Sequence, residues 1–164
     1  MSLVLIGFMG AGKSTAARAL AGADSDAVVE AELGSSIDAF FDREGEAAFR
    51  EVEERVVCEL LDRAPEVVAL GGGAVLSERV RAALRDHTVV LLEIDAAGAW
   101  RRAAKSKRPL ARDREAFERR YGERLPVYES LADAFVPAGG ASAAVSVTAL
   151  SRRTARRPAG SLPW

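Results

Sequence analysis

Residues 3–15 constrain this chain more than any other stretch. Leu3-Val4-Leu5-Ile6 is a short apolar run of the kind that forms a buried strand, and it leads directly into Gly7-Phe8-Met9-Gly10-Ala11-Gly12-Lys13-Ser14-Thr15. Gly7, Gly12, Lys13 and Ser14 occupy the fixed positions of G-x-x-x-x-G-K-[ST]. Glycines let the backbone curl until successive N–H groups face one anion, and the start of the following helix adds its partial positive charge. Lys13 is placed to reach the β- and γ-phosphates of a nucleotide, and the Ser14 hydroxyl to ligate Mg²⁺. Gly10, Ala11, Gly12, Lys13, Ser14 and Thr15 are therefore the candidate ATP-binding residues.

Further along, apolar runs alternate with helical periodicity. Lys13 to about Leu20 is Ala-rich and reads as a helix. After Asp24-Ser25-Asp26, residues 28–33 form a short helical or irregular segment ending at Gly34. Ser35 with Asp38 has the spacing of a capping box and opens a helix expected to stop at Gly45. A longer helix is expected from Glu46 to Arg63, with Phe49, Val52, Val56, Val57, Leu60 and Leu61 at helical period. Val67-Val68-Ala69-Leu70 and Val89-Val90-Leu91-Leu92-Glu93-Ile94 are strand candidates, with amphipathic residues 77–86 between them. Asp95 to Ala104 is helical. Glu115 to Arg124 reads as a polar helix broken near Gly122, a solvated cover rather than core. A further helix follows from Pro126 to Asp133, then a last strand at Ala134-Phe135-Val136 and a helix over 141–150. Strands alternating with helices imply a three-layer α/β/α fold on a parallel sheet of four to five strands, with the functional crevice beyond the strands' carboxyl ends.

Composition narrows the class. The chain has 164 residues, 49% of them apolar and 29% charged, and no apolar run long enough for a membrane span. The expectation is a single cytoplasmic domain over residues 1–150 with no membrane partner. Residues 151–164 hold Arg152, Arg153, Arg156 and Arg157 and no acid, and read as a basic, mobile end. Without those four arginines, 19 basic residues face 24 acidic ones, so the domain lacks the basic character of a nucleic-acid binder. The single cysteine, Cys58, reads as a small core residue, and His87 as a turn residue.

Other polar landmarks occur in order: Asp24-Ser25-Asp26, Phe49-Arg50, Gly71-Gly72-Gly73, Arg108-Pro109-Leu110 and Arg124-Leu125-Pro126-Val127-Tyr128. Together with the phosphate loop, this set resembles the shikimate kinases, small P-loop kinases of the nucleoside-monophosphate-kinase type, from Leu3 to about Val136. The resemblance implies transfer of the ATP γ-phosphate to the 3-hydroxyl of shikimate, with Mg²⁺, in aromatic amino-acid biosynthesis. It places Lys13 on the phosphates, Ser14 and Asp24 at the metal, and Asp26 on the shikimate hydroxyls as base. It puts Arg50 and Arg124 on the shikimate carboxylate, and Gly71, Gly72 and Gly73 against the substrate. Arg108 belongs to a lid over about 105–124 that touches phosphate and substrate, and Arg102 matches an arginine that stacks on adenine. Helices over 27–63 form the substrate side, and the expected state is a monomer. The chemistry agrees: a planar guanidinium grips a carboxylate in a bidentate fork, and a carboxylate accepts the proton of an attacking hydroxyl. Glu53, one turn from Arg50, can orient it.

One departure bears on the site. Shikimate kinases have several more residues between Leu20 and Asp24, including a strand that delivers the two aspartates. Here only Ala21-Gly22-Ala23 remain. Three extended residues climb about 10 Å at about 3.3 Å each. That offsets a helix of about seven residues at about 1.5 Å each. Either the first helix is short or the aspartates sit low, and the missing strand is expected at a sheet edge. Two other readings stay open: a kinase of a related carboxylated cyclic polyol such as an aminoshikimate, and a non-catalytic nucleotide-binding homologue.

Overall fold

A sheet of five parallel strands in the order β2-β3-β1-β4-β5 carries the molecule. The computed structural model describes residues 1–105 and 113–138. The strands are β1 (Leu3–Ile6), β2 (Ala23–Asp24), β3 (Val67–Ala69), β4 (Thr88–Glu93) and β5 (Ala134–Pro137). The helices are α1 (Lys13–Ala19), α2 (Ser25–Leu33), α3 (Ile37–Asp62), α4 (Glu78–Ala83), α5 (Ala96–Lys105) and α6 (Arg114–Leu131). Arg108, the rest of the expected lid up to residue 112, the helix expected over 141–150 and the basic end lie outside the described residues.

Successive strand residues point to opposite faces, and both faces are covered. Val4, Ile6, Val68, Leu70 and Leu91 pack with Val57 and Leu61 of α3, Val80 of α4 and Phe117 of α6. Leu3, Leu5, Val67, Ala69 and Leu92 pack with Ala16 and Ala17 of α1. This double burial explains why the strands read as continuous apolar runs rather than alternating ones. Cys58 is buried in the first of these layers.

The strand thought lost before Asp24 is present but cut to two residues, Ala23 and Asp24, at the edge of the sheet beside β3. The helix before it has seven residues, the length at which descent and climb balance. Gly22 is squeezed into this short return: a β-carbon there would lie 2.7 Å from Val67 O. The helix expected from residue 28 starts three residues sooner, because the Asp24 carboxylate accepts from the Asp26 N–H at 3.0 Å and caps it.

The two helices expected around Gly45 meet there in a kink within α3, with Gly45 at φ 85° and ψ 172°. Its cap is Ser36, whose Oγ accepts from the Ala39 N–H at 3.2 Å, one residue later than the capping box implies.

The polar cover expected over Glu115–Arg124 and the separate helix after Pro126 are corrected by α6. It runs unbroken through Gly122 and Pro126 and buries Phe117, Arg124 and Tyr128. Phe117 is fully buried, with its ring edge-on to Phe8 at 5.1 Å and to Trp100 at 5.2 Å. Proline costs a helix one hydrogen bond and presses on the carbonyl four residues earlier, here that of Gly122. The buried aromatic contacts outweigh that cost.

Candidate active site

Two loops leave the carboxyl ends of adjacent strands, residues 7–12 after β1 and residues 70–73 after β3. The chain passes from β1 to one side of the sheet and from β3 to the other, so they open at a topological switch point. A pocket of about 480 Å³ lies there, lined by residues 9–15 with Asp26, Leu70, Gly72 and Arg102.

The phosphate loop needs its glycines for space and for backbone conformation. A β-carbon at Gly7 would come within 2.7 Å of Leu92 O, and Gly12 has φ 91° at the head of α1. Lys13 is buried, and its ammonium donates to Gly7 O at 2.7 Å and Phe8 O at 3.2 Å. Arg102 reaches over from α5 and donates to Gly10 O at 2.8 Å. It also borders a second cavity of about 1090 Å³ between the end of β4, α5 and α6.

Asp26 sits in the first turn of α2 and enters the pocket despite the short connection before it. Asp24 is not among the pocket's lining residues, and one of its oxygens caps α2. Between them, Ser25 is buried, and its Oγ accepts from the Gly71 N–H at 2.8 Å. This bond ties the aspartate segment to the glycine loop.

The glycine loop is hemmed in. A methyl group at Gly71 would overlap Asp26 Oδ1 and lie 3.0 Å from Glu53 Oε1. One at Gly73 would overlap the Arg50 guanidinium. Arg50, Glu53 and Asp26 therefore converge on these glycines. Arg50 bonds Glu53 at 2.6 Å and Glu46 at 3.0 Å. Burial works against the charge on Arg50, but the two glutamates outweigh it and raise its pKa. Glu53 is only 4% exposed. Burial pushes its carboxyl up, with Asp26 adding to the effect, although Arg50 and Arg124 pull it down.

Arg124 is placed differently. It is buried over the Phe8 ring at 6.0 Å, and among the described residues it forms no ion pair. Burial depresses its pKa, and the nearby Arg50 and Arg120 depress it further, with Tyr128 acting the other way. A buried guanidinium without a carboxylate is costly unless an anionic ligand completes it. Tyr128, one helical turn on, donates to Gly72 O at 2.5 Å, and its hydroxyl and the Arg124 guanidinium both lie against Gly72.

The structure thus brings together Gly10, Ala11, Gly12, Lys13, Ser14, Thr15, Asp26, Gly72 and Arg102 around one pocket, with Arg50, Gly71, Gly73 and Arg124 at the adjoining glycine loop. It sets Asp24 behind them as a cap. Ser25 and Tyr128, each quoted only as part of a motif, hold the glycine loop at Gly71 and Gly72. The i,i+4 spacing of Arg124 and Tyr128 was the available sign that they share a helix face.

The family model for shikimate kinase matches residues 9–154. A shikimate kinase of Thermobifida fusca is 46% identical over 79% of this chain and 80% of its own length. That of Rhodococcus jostii is 40% identical over 93% and 96%. Among solved structures, a shikimate kinase from Acinetobacter baumannii in complex with shikimate superposes with a TM-score of 0.82 at 31% identity, covering 94% of this chain and 92% of that one. The enzyme from Aquifex aeolicus superposes at 0.78 with 30% identity, over 94% and 98%.

Proposed function

The chain belongs to the shikimate kinase family and is an ATP-dependent kinase of shikimate, and from that premise we propose how its residues divide the reaction. Asp26 accepts the proton of the attacking 3-hydroxyl. Lys13 and the backbone N–H groups of residues 10–15 hold the β- and γ-phosphates. Arg50, Arg124 and the N–H groups of Gly72 and Gly73 hold the substrate. The carrying observation is that Asp26 shares one pocket with Lys13, Ser14 and Gly72. The acceptor for the hydroxyl proton is therefore beside the loop that holds the group being transferred, which is what phosphoryl transfer by positioning requires.

Arg124, buried with no ion pair among the described residues, supports a carboxylated substrate over a neutral sugar, since a carboxylate would supply an anion for it. Arg102 lies between the phosphate pocket and the larger cavity, which supports a place for it beside the nucleoside. Arg108, in the lid proposed over 105–124, would deliver a further charge to the transferring phosphate.

The site residues also fit Mg²⁺. That ion keeps several waters and takes one or two hard oxygens besides those of the phosphates. The Ser14 hydroxyl at the head of α1 and the second oxygen of Asp24, through water, are the donors that would hold it. When bound, it neutralises phosphate charge as the γ-group transfers. The charge balance of residues 1–150 argues against nucleic-acid partners, and the proposed state is a cytoplasmic monomer. No described helix is long and apolar enough to cross a membrane.

ADP release with Mg·ATP, with and without shikimate, tests this division. The wild type is expected to turn over only with shikimate, and Asp26→Asn to lose turnover by about a thousandfold or more with ATP affinity unchanged. Undiminished turnover in Asp26→Asn would remove it as the base.

A further inference from the structure

The chain has two tyrosines, both on α6 and two helical turns apart. Each donates to a main-chain carbonyl. Tyr121 Oη donates to Ile94 O at 2.7 Å and ties α6 to the end of β4. Tyr128 Oη donates to Gly72 O at 2.5 Å, in the loop that faces the substrate. Only Tyr128 lies beside Arg124: a β-carbon on Gly72 would sit 3.6 Å from Tyr128 Oη and 3.8 Å from Arg124 Nη1, and the guanidinium acts on the phenol's pKa. An arginine donates and never accepts, and a phenol carries one proton. The phenol proton is therefore committed to Gly72 O, and toward the neighbouring guanidinium the Tyr128 oxygen can only accept. Burial holds the proton in place by pushing the Tyr128 pKa up to about 12, even though Arg124 pulls it down.

Two consequences follow at the Gly72–Gly73 peptide. The peptide is planar and trans. Fixing its carbonyl toward Tyr128 thus fixes its N–H, carried by Gly73, on the opposite side. A bonded carbonyl also makes the N–H of its own peptide a stronger donor. Among the described residues, the Gly71 N–H is used by Ser25 and the Gly72 carbonyl by Tyr128. The loop is therefore anchored at both of those points.

We propose that Tyr128 is a positioning residue that couples Arg124 to the Gly72–Gly73 peptide, so that guanidinium and peptide N–H are set for the substrate as one unit. This rests on the reading of Arg124 as the carboxylate-binding cation. Tyr128 does not touch the reacting atoms. Its effect is on substrate binding and not on the phosphate side.

The test compares Tyr128→Phe with Tyr121→Phe in the full chain, by steady-state kinetics and thermal melting. Both variants lose one hydroxyl-to-carbonyl bond on the same helix, and both are expected to melt lower. Tyr128→Phe is expected to raise the shikimate KM about tenfold or more, with the ATP KM within about twofold, whereas Tyr121→Phe leaves the shikimate KM near wild type. In an Arg124→Ala background, adding Tyr128→Phe is expected to change the shikimate KM less than about twofold, the sign of a coupled pair. A wild-type shikimate KM in Tyr128→Phe, equal rises in both single variants, or additive effects in the double variant would each overturn the coupling. If Arg124→Ala itself leaves the shikimate KM unchanged, the carboxylate reading fails, and the coupling with it. Should Tyr128→Phe fail to fold, 3-fluorotyrosine in a Tyr121→Phe background labels Tyr128 alone. Its ¹⁹F resonance is then expected to shift on adding shikimate and not on adding ATP, and an unmoved resonance overturns the proposal.

Discussion

Replacing Gly73 by alanine isolates the position of one guanidinium. Gly73 has φ −95° and ψ −15°, a conformation alanine adopts without backbone strain. The effect must therefore come from what the new methyl meets. It would overlap Arg50 Nη1 and lie 2.6 Å from Cζ and 2.7 Å from Nη2. Non-bonded atoms settle about 3.5 Å apart or farther, so the guanidinium must retreat by about 1 Å. Its 2.6 Å bond to Glu53 does not survive stretching to about 3.6 Å. Arg50 is long and partly exposed, so the fold accommodates the move, but Glu53 is left buried without its cation. That costs about 1–3 kcal/mol, or a fall in Tm of about 2–10 °C for a domain of this size. Function suffers more, since a 1 Å displacement of a substrate-binding group can cost about a hundredfold. Measured by ADP release at saturating ATP, kcat/KM for shikimate is expected to drop about 30- to 100-fold, with the ATP KM within about twofold of wild type. A kcat/KM for shikimate within about threefold of wild type would show that Arg50 is not positioned against the glycine loop.

Two further predictions concern stability. Phe117→Ala removes a ring that is fully buried against Phe8 and Trp100. It is expected to cost about 3–5 kcal/mol, seen as a fall in Tm of roughly 10 °C, and a fall under about 2 °C would return α6 to the role of a solvated cover. His87 Nδ1 accepts from the Ser2 N–H at 2.9 Å. Burial and the neighbouring chain-terminal ammonium depress the pKa of His87 below its ordinary 6.5. The unfolded chain therefore takes up a proton before the folded one does, so stability is complete above about pH 6.5 and falls as pH drops through the folded value. Wild-type Tm is expected to fall more steeply between about pH 7.5 and 5.5 than that of His87→Asn, and equal slopes would exclude this linkage.

Local patterns reached far into the site because the phosphate loop is a local device. Every group it needs lies within residues 7–15, and glycine spacing states its backbone geometry directly. Arg50 and Glu53 were equally legible as an i,i+3 pair on one helix. Asp26 was harder. Its place depended on the three residues after Leu20, and only chain-length arithmetic hinted that the connection would close. Asp24 reads as a metal ligand by resemblance, and one of its carboxylate oxygens also caps α2. A carboxylate has two oxygens and can serve both uses, and the resemblance names only the ligand. Gly122 and Pro126 pointed to a broken helix, because local propensity counts only the lost hydrogen bond and not the packing of Phe117 and Tyr128 that compensates for it.

The sequence by itself determined the alternation of buried strands and helices, the phosphate loop, and the residue types proposed to hold a carboxylated substrate and accept its hydroxyl proton. These follow from contacts within a few residues, where spacing is geometry. Tertiary structure alone decided that Asp26 shares a pocket with Lys13, that Arg124 is buried with no ion pair among the described residues, and that Tyr128 and Ser25 grip the glycine loop from α6 and α2. The Tyr128 and Ser25 bonds join segments 56 and 46 residues apart, and such meetings are set by how the sheet orders its strands and by which helix faces are buried against it.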